Sequence, residues 1–187
     1  MKDDDEPIQV DATDAVAFFN RGLAYAAKRQ YGAAIPDYDQ AIQLNPNLAE
    51  AFAARGAACG DLGQYDRAIQ DLDQAVRLNP CLAKGFGQRG KAHFFKGLFD
   101  RAIQDLDQAI RLDPNDADAL NSRAAAHSEK GQYDRAIDDS DKAIRLDPNF
   151  AEAYYNRGLA FRALGRLTQA TADFVRATQL NPHLLPP

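Results

Sequence analysis

The chain has 187 residues, of which 45% are hydrophobic, and a formal net charge of -5 at pH 7. Its length and hydrophobic content allow a substantial buried core, whereas the acidic balance argues against binding to nucleic acid, which needs a basic surface. No apolar run approaches the ~20 residues that cross a bilayer, and the opening MKDDDEPIQV lacks the apolar stretch of a signal peptide.

From Ala15 the sequence repeats with a period of 34 residues, without insertion or deletion. Prolines recur at this spacing, at Pro46, Pro80, Pro114, Pro148 and Pro182, and so do alanines, at Ala34, Ala68, Ala102, Ala136 and Ala170. Such a period predicts one supersecondary unit stacked on copies of itself. We expect an acidic, flexible leader over residues 1–14, a repeat domain over residues 15–184 and a tail over residues 185–187. The repeats span residues 15–48, 49–82, 83–116, 117–150 and 151–184.

The second repeat shows how each unit begins. Its apolar and small residues recur at spacings of four and three, at Phe52, Gly56 and Cys59, which predicts a helix from about Glu50 to Leu62. Gly63 then ends this helix, because glycine adopts the left-handed conformation without steric cost.

A second helix follows in the same repeat. Asp66 is placed to cap it by accepting from free amide hydrogens, and its stripe consists of Ala68, Leu72 and Ala75. Pro80 prevents continuation past Asn79. Each repeat is therefore predicted to be a helical hairpin, with Gly56 and Ala68 small because the two helices cross there.

These columns resemble the motif of the tetratricopeptide repeat. The aromatic residue of that motif corresponds to Phe18, Phe52, Phe86, Leu120 and Tyr154, and its glycine to Gly22, Gly56, Gly90 and Gly158, with Ala124 as the exception. The resemblance covers residues 15–184. It implies an all-α fold, an α-solenoid in which antiparallel helix pairs form a right-handed superhelix. It also implies a noncatalytic role in protein–protein interaction, because the family is defined by scaffolding rather than by chemistry.

Two charged columns depart from that motif. One position of each first helix is an arginine, at Arg21, Arg55, Arg89, Arg123 and Arg157. One position of each second helix is an aspartate, at Asp37, Asp71, Asp105, Asp139 and Asp173. In a hairpin the two columns are level to within roughly 3 Å. We therefore expect an Arg–Asp ladder, within repeats or between neighbours; the alternative is two independently solvated columns.

Cys59, His93 and His127 occupy equivalent positions in successive repeats, as ligands of a shared metal would. Packed helices lie about 8–10 Å apart, whereas zinc ligands come within about 2.0–2.3 Å of the ion, so we interpret the three as polar replacements of a packing tyrosine. We expect no metal, no cofactor and no enzyme activity, since no phosphate-binding loop and no nucleophile–base set is present.

Cys59 and Cys81 are expected roughly 15–20 Å apart, too far for a disulfide. Reduced thiols in turn predict a cytoplasmic protein.

The resemblance implies that the first helices line an inner wall that holds peptides. The residues predicted for this groove are Phe19, Asn20, Leu23, Ala53, Ala57, Lys84, Gly87, Lys91, Phe94, Phe95, Asn121, Tyr155, Asn156 and Leu159. Small residues flanked by aromatic rings suit a bulky apolar side chain of a partner, and Lys84 and Lys91 are placed to receive a carboxylate. Asn20 and Asn156 stand where the family often uses asparagine to hold a peptide backbone. The alternative is that the small residues only reflect helix packing.

The last repeat differs from the others on the face that would meet a sixth. Thr171 and Thr178 replace isoleucine or valine, as in a terminal cap, whereas Phe174 and Val175 are apolar and are compatible with an end-to-end or two-fold homodimer. We predict a scaffold that binds a protein or peptide partner, with no nucleic-acid binding and no insertion into a membrane. The alternatives are a self-assembling structural protein acting through its ends or convex face and, opposed by the acidic charge, an RNA-binding helical repeat.

Overall fold

The computed structural model describes residues 13–185, which form ten α-helices in antiparallel pairs and no strand. This confirms the predicted all-α fold of helical hairpins. The first helices of the repeats are α1 (Ala15–Ala27), α3 (Ala49–Asp61), α5 (Ala83–Phe95), α7 (Ala117–Glu129) and α9 (Ala151–Ala163). The second helices are α2 (Tyr31–Leu44), α4 (Tyr65–Leu78), α6 (Phe99–Leu112), α8 (Tyr133–Leu146) and α10 (Leu167–Leu180).

The expected flexible leader falls almost wholly outside the described residues. Only its last two residues are described, and Asp14 caps α1 by accepting a hydrogen bond from the backbone N–H of Val16 at 2.8 Å. Residues 186–187 of the expected tail also lie outside the described range.

The chain divides into two compact units within α5, between Gln88 and Arg89. In the first unit α1 packs against α2, α3 against α4, and α3 also against α2. In the second unit α7 packs against α8, α9 against α10, and α9 also against α8. Over residues 13–185 no helix is both long and apolar enough to span a bilayer.

Left-handed glycines end four of the first helices, as predicted from Gly63. Their φ angles lie between +71° and +75°, at Gly63, Gly97, Gly131 and Gly165. After Gly63 the chain turns back, and the N–H of Gln64 donates to the carbonyl of Cys59 at 2.9 Å, a Schellman closure. The first repeat has Arg29 in this column, at φ 59°.

The predicted cap of the second helix was wrong. Gln64, not Asp66, is the N-cap of α4, and its side chain makes no capping hydrogen bond. Asp66 lies in the first helical turn instead, where a carboxylate interacts favourably with the positive end of the helix dipole.

The hairpin core explains the small residues of the repeat. A Cβ added to Gly56 would lie 2.7 Å from Leu72 Cγ and 3.1 Å from the carbonyl oxygen of Ala68, so the helices approach too closely for a side chain, as predicted. Beside this crossing, Ala68 and Leu72 are fully buried. The second helices end as predicted before the prolines; Asn79 is the C-cap of α4, and its Oδ1 accepts from the N–H of Cys81 at 3.0 Å.

Candidate functional site

The Arg–Asp ladder forms within repeats and also links neighbours. Arg55 donates from Nε to Asp71 Oδ2 at 2.8 Å and from Nη2 to Asp71 Oδ1 at 2.6 Å, a bidentate pair. Its third nitrogen, Nη1, donates to Asp39 Oδ1 of the preceding repeat at 2.6 Å. The hydrogen bond to Asp71 is the largest effect that raises the pKa of Arg55. The predicted ladder is therefore confirmed, and independent solvation is excluded for these pairs.

The same arrangement recurs in the second unit. Arg123 bonds Asp139 through two nitrogens and Asp107 of the preceding repeat through the third, and Arg157 bonds Asp173 and Asp141 in the same way. Sequence reasoning missed this second aspartate column, although it is visible at the same spacing, at Asp39, Asp73, Asp107 and Asp141. Each ladder arginine is anchored on its second helix, which holds the face of the first helix in a fixed orientation.

The three residues considered as metal ligands interact within their own repeats. His93 Nδ1 lies 2.9 Å from Asp105 Oδ2, and His127 Nδ1 lies 2.6 Å from Gln132 Oε1. Cys59 is fully buried, and this burial raises the pKa of its thiol. No group of three His, Cys, Asp or Glu side chains in the described part of the chain is arranged to hold a metal ion.

In the first unit the predicted groove residues differ in exposure. Asn20 and Lys84 are exposed and Leu23 is 43% exposed, whereas Phe19 is half-buried, with its ring centroid 6.1 Å from that of Tyr38. Ala57 is half-buried as well.

Two small residues of the predicted groove are among the buried residues. Ala53 and Gly87 are both buried, because the helices approach closely where side chains are small. Their burial supports the alternative interpretation, helix packing, and their place in the groove stays a prediction.

In the second unit polar side chains link neighbouring first helices. Asn156 Nδ2 on α9 donates to Asn121 Oδ1 on α7 at 2.8 Å, and both side chains are half-buried. Lys91 Nζ on α5 lies 3.9 Å from Asp118 Oδ1 on α7. Lys91 therefore already has a carboxylate nearby, which sequence reasoning did not foresee.

The aromatic residues predicted for the groove in the same unit differ in exposure and packing. Phe95 is 62% exposed and meets Phe94 edge to face, at a centroid distance of 5.5 Å. Tyr155 packs on Phe174, with centroids 5.7 Å apart, and Leu159 packs against the same hydrophobic cluster. Phe95 is thus largely exposed, whereas Tyr155 and Leu159 contribute part of their surface to the core.

The fold and its surface define a class of protein. Ten paired helices built from one repeated hairpin carry a regular internal ladder, and their first helices present exposed apolar and amide groups. This is the construction of a helical-repeat scaffold, in which adjacent units create surfaces for binding other proteins.

The comparisons with known proteins identify the family. The tetratricopeptide repeat model matches residues 15–48, 49–80 and 151–184, and a second TPR repeat model matches residues 90–131 and 127–162. The chain belongs to the tetratricopeptide repeat family, whose members are generally noncatalytic interaction modules. No curated protein matches the chain.

Solved structures with the same fold include MamA, at 27% identity and a TM-score of 0.73, over 90% of this chain and 92% of that one. YrrB, described as a TPR protein with an unusual peptide-binding site, is 22% identical with a TM-score of 0.69, over 91% of this chain and 88% of that one. TTC0263, a thermophilic TPR protein of Thermus thermophilus, is 22% identical with a TM-score of 0.76, over 90% of this chain and 92% of that one. The last two likenesses bear on the fold alone.

Proposed function

We propose that this chain is a noncatalytic interaction module that binds an extended peptide segment on the exposed faces of its first helices. The hydrogen bond between Asn156 and Asn121 is the observation that carries the proposal. It fixes two carboxamides of successive repeats next to each other on one surface.

A carboxamide pair of this kind suits a peptide backbone. A single hydrogen bond uses one N–H of Asn156 and one lone pair of Asn121, and each side chain has further donor and acceptor capacity. The Nδ2 of Asn121 is suited to donate to a peptide carbonyl, and Oδ1 of Asn156 to accept from a peptide N–H. Because the two groups orient each other, less conformational entropy is lost on binding.

The surroundings indicate which side chains a partner would carry. Phe95 offers an exposed aromatic ring for an apolar side chain of the partner. Lys91, in the same unit, would receive a carboxylate of the partner only in competition with Asp118, whose Oδ1 lies 3.9 Å from Lys91 Nζ. Free thiols at Cys59 and Cys81 support a reducing setting such as the cytoplasm.

The test uses random peptides of about 12 residues displayed on phage and selected on the folded chain. Selected peptides are synthesised, and their affinity is measured by fluorescence polarisation for the wild type, for Asn121→Ala with Asn156→Ala, and for Asn115→Ala. Asn115 is an exposed asparagine between α6 and α7, so it is a control of matched chemistry.

We expect micromolar dissociation constants and at least a tenfold loss in the double variant, about 1.4 kcal/mol, with no change in Asn115→Ala. Side-chain amide resonances of Asn121 and Asn156 should shift on titration. Peptides that bind the double variant as tightly as the wild type would refute the proposal, as would a library that yields no binder.

A further inference from the structure

The fourth repeat, formed by α7 and α8, has a smaller and more polar side chain in its core than the other repeats have. At one position of the second helix, α4 and α6 bury the leucines Leu72 and Leu106, and α10 buries Phe174. At the same position α8 has Ser140, which is fully buried. The fourth hairpin therefore buries less apolar surface at this point, and burial of apolar surface is the dominant favourable contribution to folding.

Ala124 restores only part of this packing. It stands where the second, third and fifth repeats have glycine, and so adds one methyl group to α7. In the fifth repeat the equivalent positions are close, since a Cβ added to Gly158 would lie 2.8 Å from Phe174 Cε1. The methyl group of Ala124 thus fits because Ser140 is small, but it is smaller than the branched side chain that leucine places there.

Two hydroxyl groups of this hairpin are buried without a hydrogen-bond partner in the protein. Over residues 13–185 the buried side-chain atoms in this state are Ser128 Oγ on α7 and Ser140 Oγ on α8. Ser122 on α7 differs, because its Oγ donates to the carbonyl of Asp118 at 2.7 Å. A buried hydroxyl without a partner loses its hydrogen bonds to water on folding, so it favours an open state in which it is hydrated.

A polar cavity borders the same hairpin. It has a volume of about 300 Å³, lies between α6, α7 and α8, and is lined in part by the buried residues His127 and Asp139. In the fifth repeat the position of His127 is taken by Phe161, which belongs to one hydrophobic cluster with Phe174. The fifth hairpin therefore has two packed aromatic side chains at the positions where the fourth has His127 and Ser140.

The fourth hairpin also carries half of the carboxamide pair. Asn121 lies on α7, and Asn156 lies on α9, which packs against both α7 and α8. If α7 and α8 separate, the two side chains lose the helix packing that holds them together. A peptide that binds both carboxamides therefore binds the closed hairpin, and a ligand that prefers one state shifts the population towards it.

We propose that the fourth hairpin opens locally while the hairpins of the first and second repeats stay folded, and that this opening regulates the peptide-binding surface of α7 and α9. The regulation rests on the proposed function, whereas the opening does not. Regions with few buried apolar contacts open at a lower free energy than the rest of a protein. A repeat protein permits such opening, because each unit contacts only its neighbours.

Native-state hydrogen exchange, followed by mass spectrometry on the full chain without a ligand, tests the opening. Backbone amides of α7 and α8 should have protection factors at least about tenfold lower than those of α3 and α4, the corresponding helices of the second repeat. Equal or higher protection of α7 and α8 would overturn the proposal.

A pair of serine variants tests the physical cause. Ser140→Ala removes the unpartnered hydroxyl without adding bulk, and Ser122→Ala on the same hairpin is the matched control, because its hydroxyl has a partner. The higher helix propensity of alanine acts in both variants. Protection of α7 and α8 should therefore rise at least about threefold more in Ser140→Ala than in Ser122→Ala. Equal effects would show that the buried hydroxyl does not promote opening.

A double variant tests the missing apolar packing. Ala124→Gly with Ser140→Leu recreates in the fourth repeat the pair that Gly56 and Leu72 form in the second. Protection of α7 and α8 should rise at least about tenfold, with circular dichroism establishing that the variant is folded. A folded double variant with unchanged exchange would contradict the proposal, and if this variant misfolds, the comparison of Ser140→Ala with Ser122→Ala decides.

A peptide selected on phage as described above tests the regulation. At a free peptide concentration 100 times its dissociation constant, protection of α7 and α8 should rise about 100-fold, because binding to the closed state alone stabilises it by RT ln(1 + [L]/Kd). Amides of α2 are the control and should keep their protection. A peptide that binds without slowing exchange in α7 and α8 would overturn the regulation and leave the proposed function intact. A library without binders would refute the proposed function, and the ligand-free exchange would still decide the opening.

Discussion

Arg123 donates two parallel hydrogen bonds to Asp139, from Nε to Oδ2 and from Nη2 to Oδ1, each 2.7 Å long. The Asp139 side chain is 5% exposed and that of Arg123 is 17% exposed. The pair is therefore largely removed from solvent, unlike the surface ion pairs whose contribution is close to zero.

We predict that this pair is strongly coupled. Arg123→Ala removes the bidentate partner of a buried carboxylate and should lower the free energy of unfolding by about 2–4 kcal/mol. A double-mutant cycle with Asp139→Ala, followed by urea unfolding, should give a coupling energy of at least ~1 kcal/mol. The control is the ion pair between repeats, Arg123 with Asp107, because the Asp107 side chain is 46% exposed. Asp107→Ala should lower the free energy of unfolding by only ~0–1 kcal/mol. Additive effects of Arg123→Ala and Asp139→Ala would show that the ladder does not stabilise the hairpin.

A second prediction concerns the crossing of α5 and α6. A Cβ added to Gly90 would lie 2.7 Å from Leu106 Cγ, so Gly90→Ala should destabilise the protein by about 1–3 kcal/mol. In the fourth repeat the equivalent residues are Ala124 and Ser140. There alanine, which is larger than glycine, faces serine, which is smaller than leucine. Combining Gly90→Ala with Leu106→Ser should therefore cost less than the sum of the single changes.

Thermal unfolding of the single and double variants measures this compensation. Gly60→Ala is the control, because the nearest atom to its added Cβ is 3.9 Å away, and removal of a helical glycine should stabilise by about 0.5–1 kcal/mol. If the destabilisations caused by Gly90→Ala and Leu106→Ser simply add in the double variant, the smaller side chain at position 106 does not make room for the larger one at position 90.

The third prediction concerns the residues with positive φ that follow the first helix of each repeat. Arg29 is the non-glycine member, at φ 59°, a conformation that costs an ordinary residue roughly 1–2 kcal/mol. Arg29→Gly should therefore raise the free energy of unfolding, by less than about 1 kcal/mol after the larger chain entropy of the unfolded glycine is counted. Gly97→Ala, at φ 73°, should do the opposite. Chemical denaturation gives both values, and a destabilised Arg29→Gly would mean that the arginine side chain outweighs the strain.

The fourth prediction separates the two thiols. Cys81 is exposed and should react with Ellman's reagent at the rate of a free thiol, whereas Cys59 is fully buried and its thiol pKa is raised. Since the thiolate is the reacting form, Cys59 should react at least ~100-fold more slowly in the native protein. The Cys81→Ser variant isolates the slow phase, and similar rates for the two thiols would contradict the burial of α3 against α4.

The period of the sequence determined the hairpins because a regular repeat places equivalent residues in equivalent surroundings. Gly56 and Ala68 identified the helix crossing, and Gly63 the end of the first helix, since each depends on residues of its own repeat. The first ladder column was predictable for the same reason, as Arg55 and Asp71 are level within one hairpin.

Tertiary structure alone decided what depends on neighbouring repeats or on side-chain rotamers. The pattern placed Ala53 and Gly87 in the groove, but close helix packing buries both. Likewise, only the packing of α7 beside α9 joins Asn121 to Asn156. Sequence spacing gives the position of a residue along its helix, whereas the surface it presents depends on how closely the next helix approaches, and that distance is set by all the side chains between them.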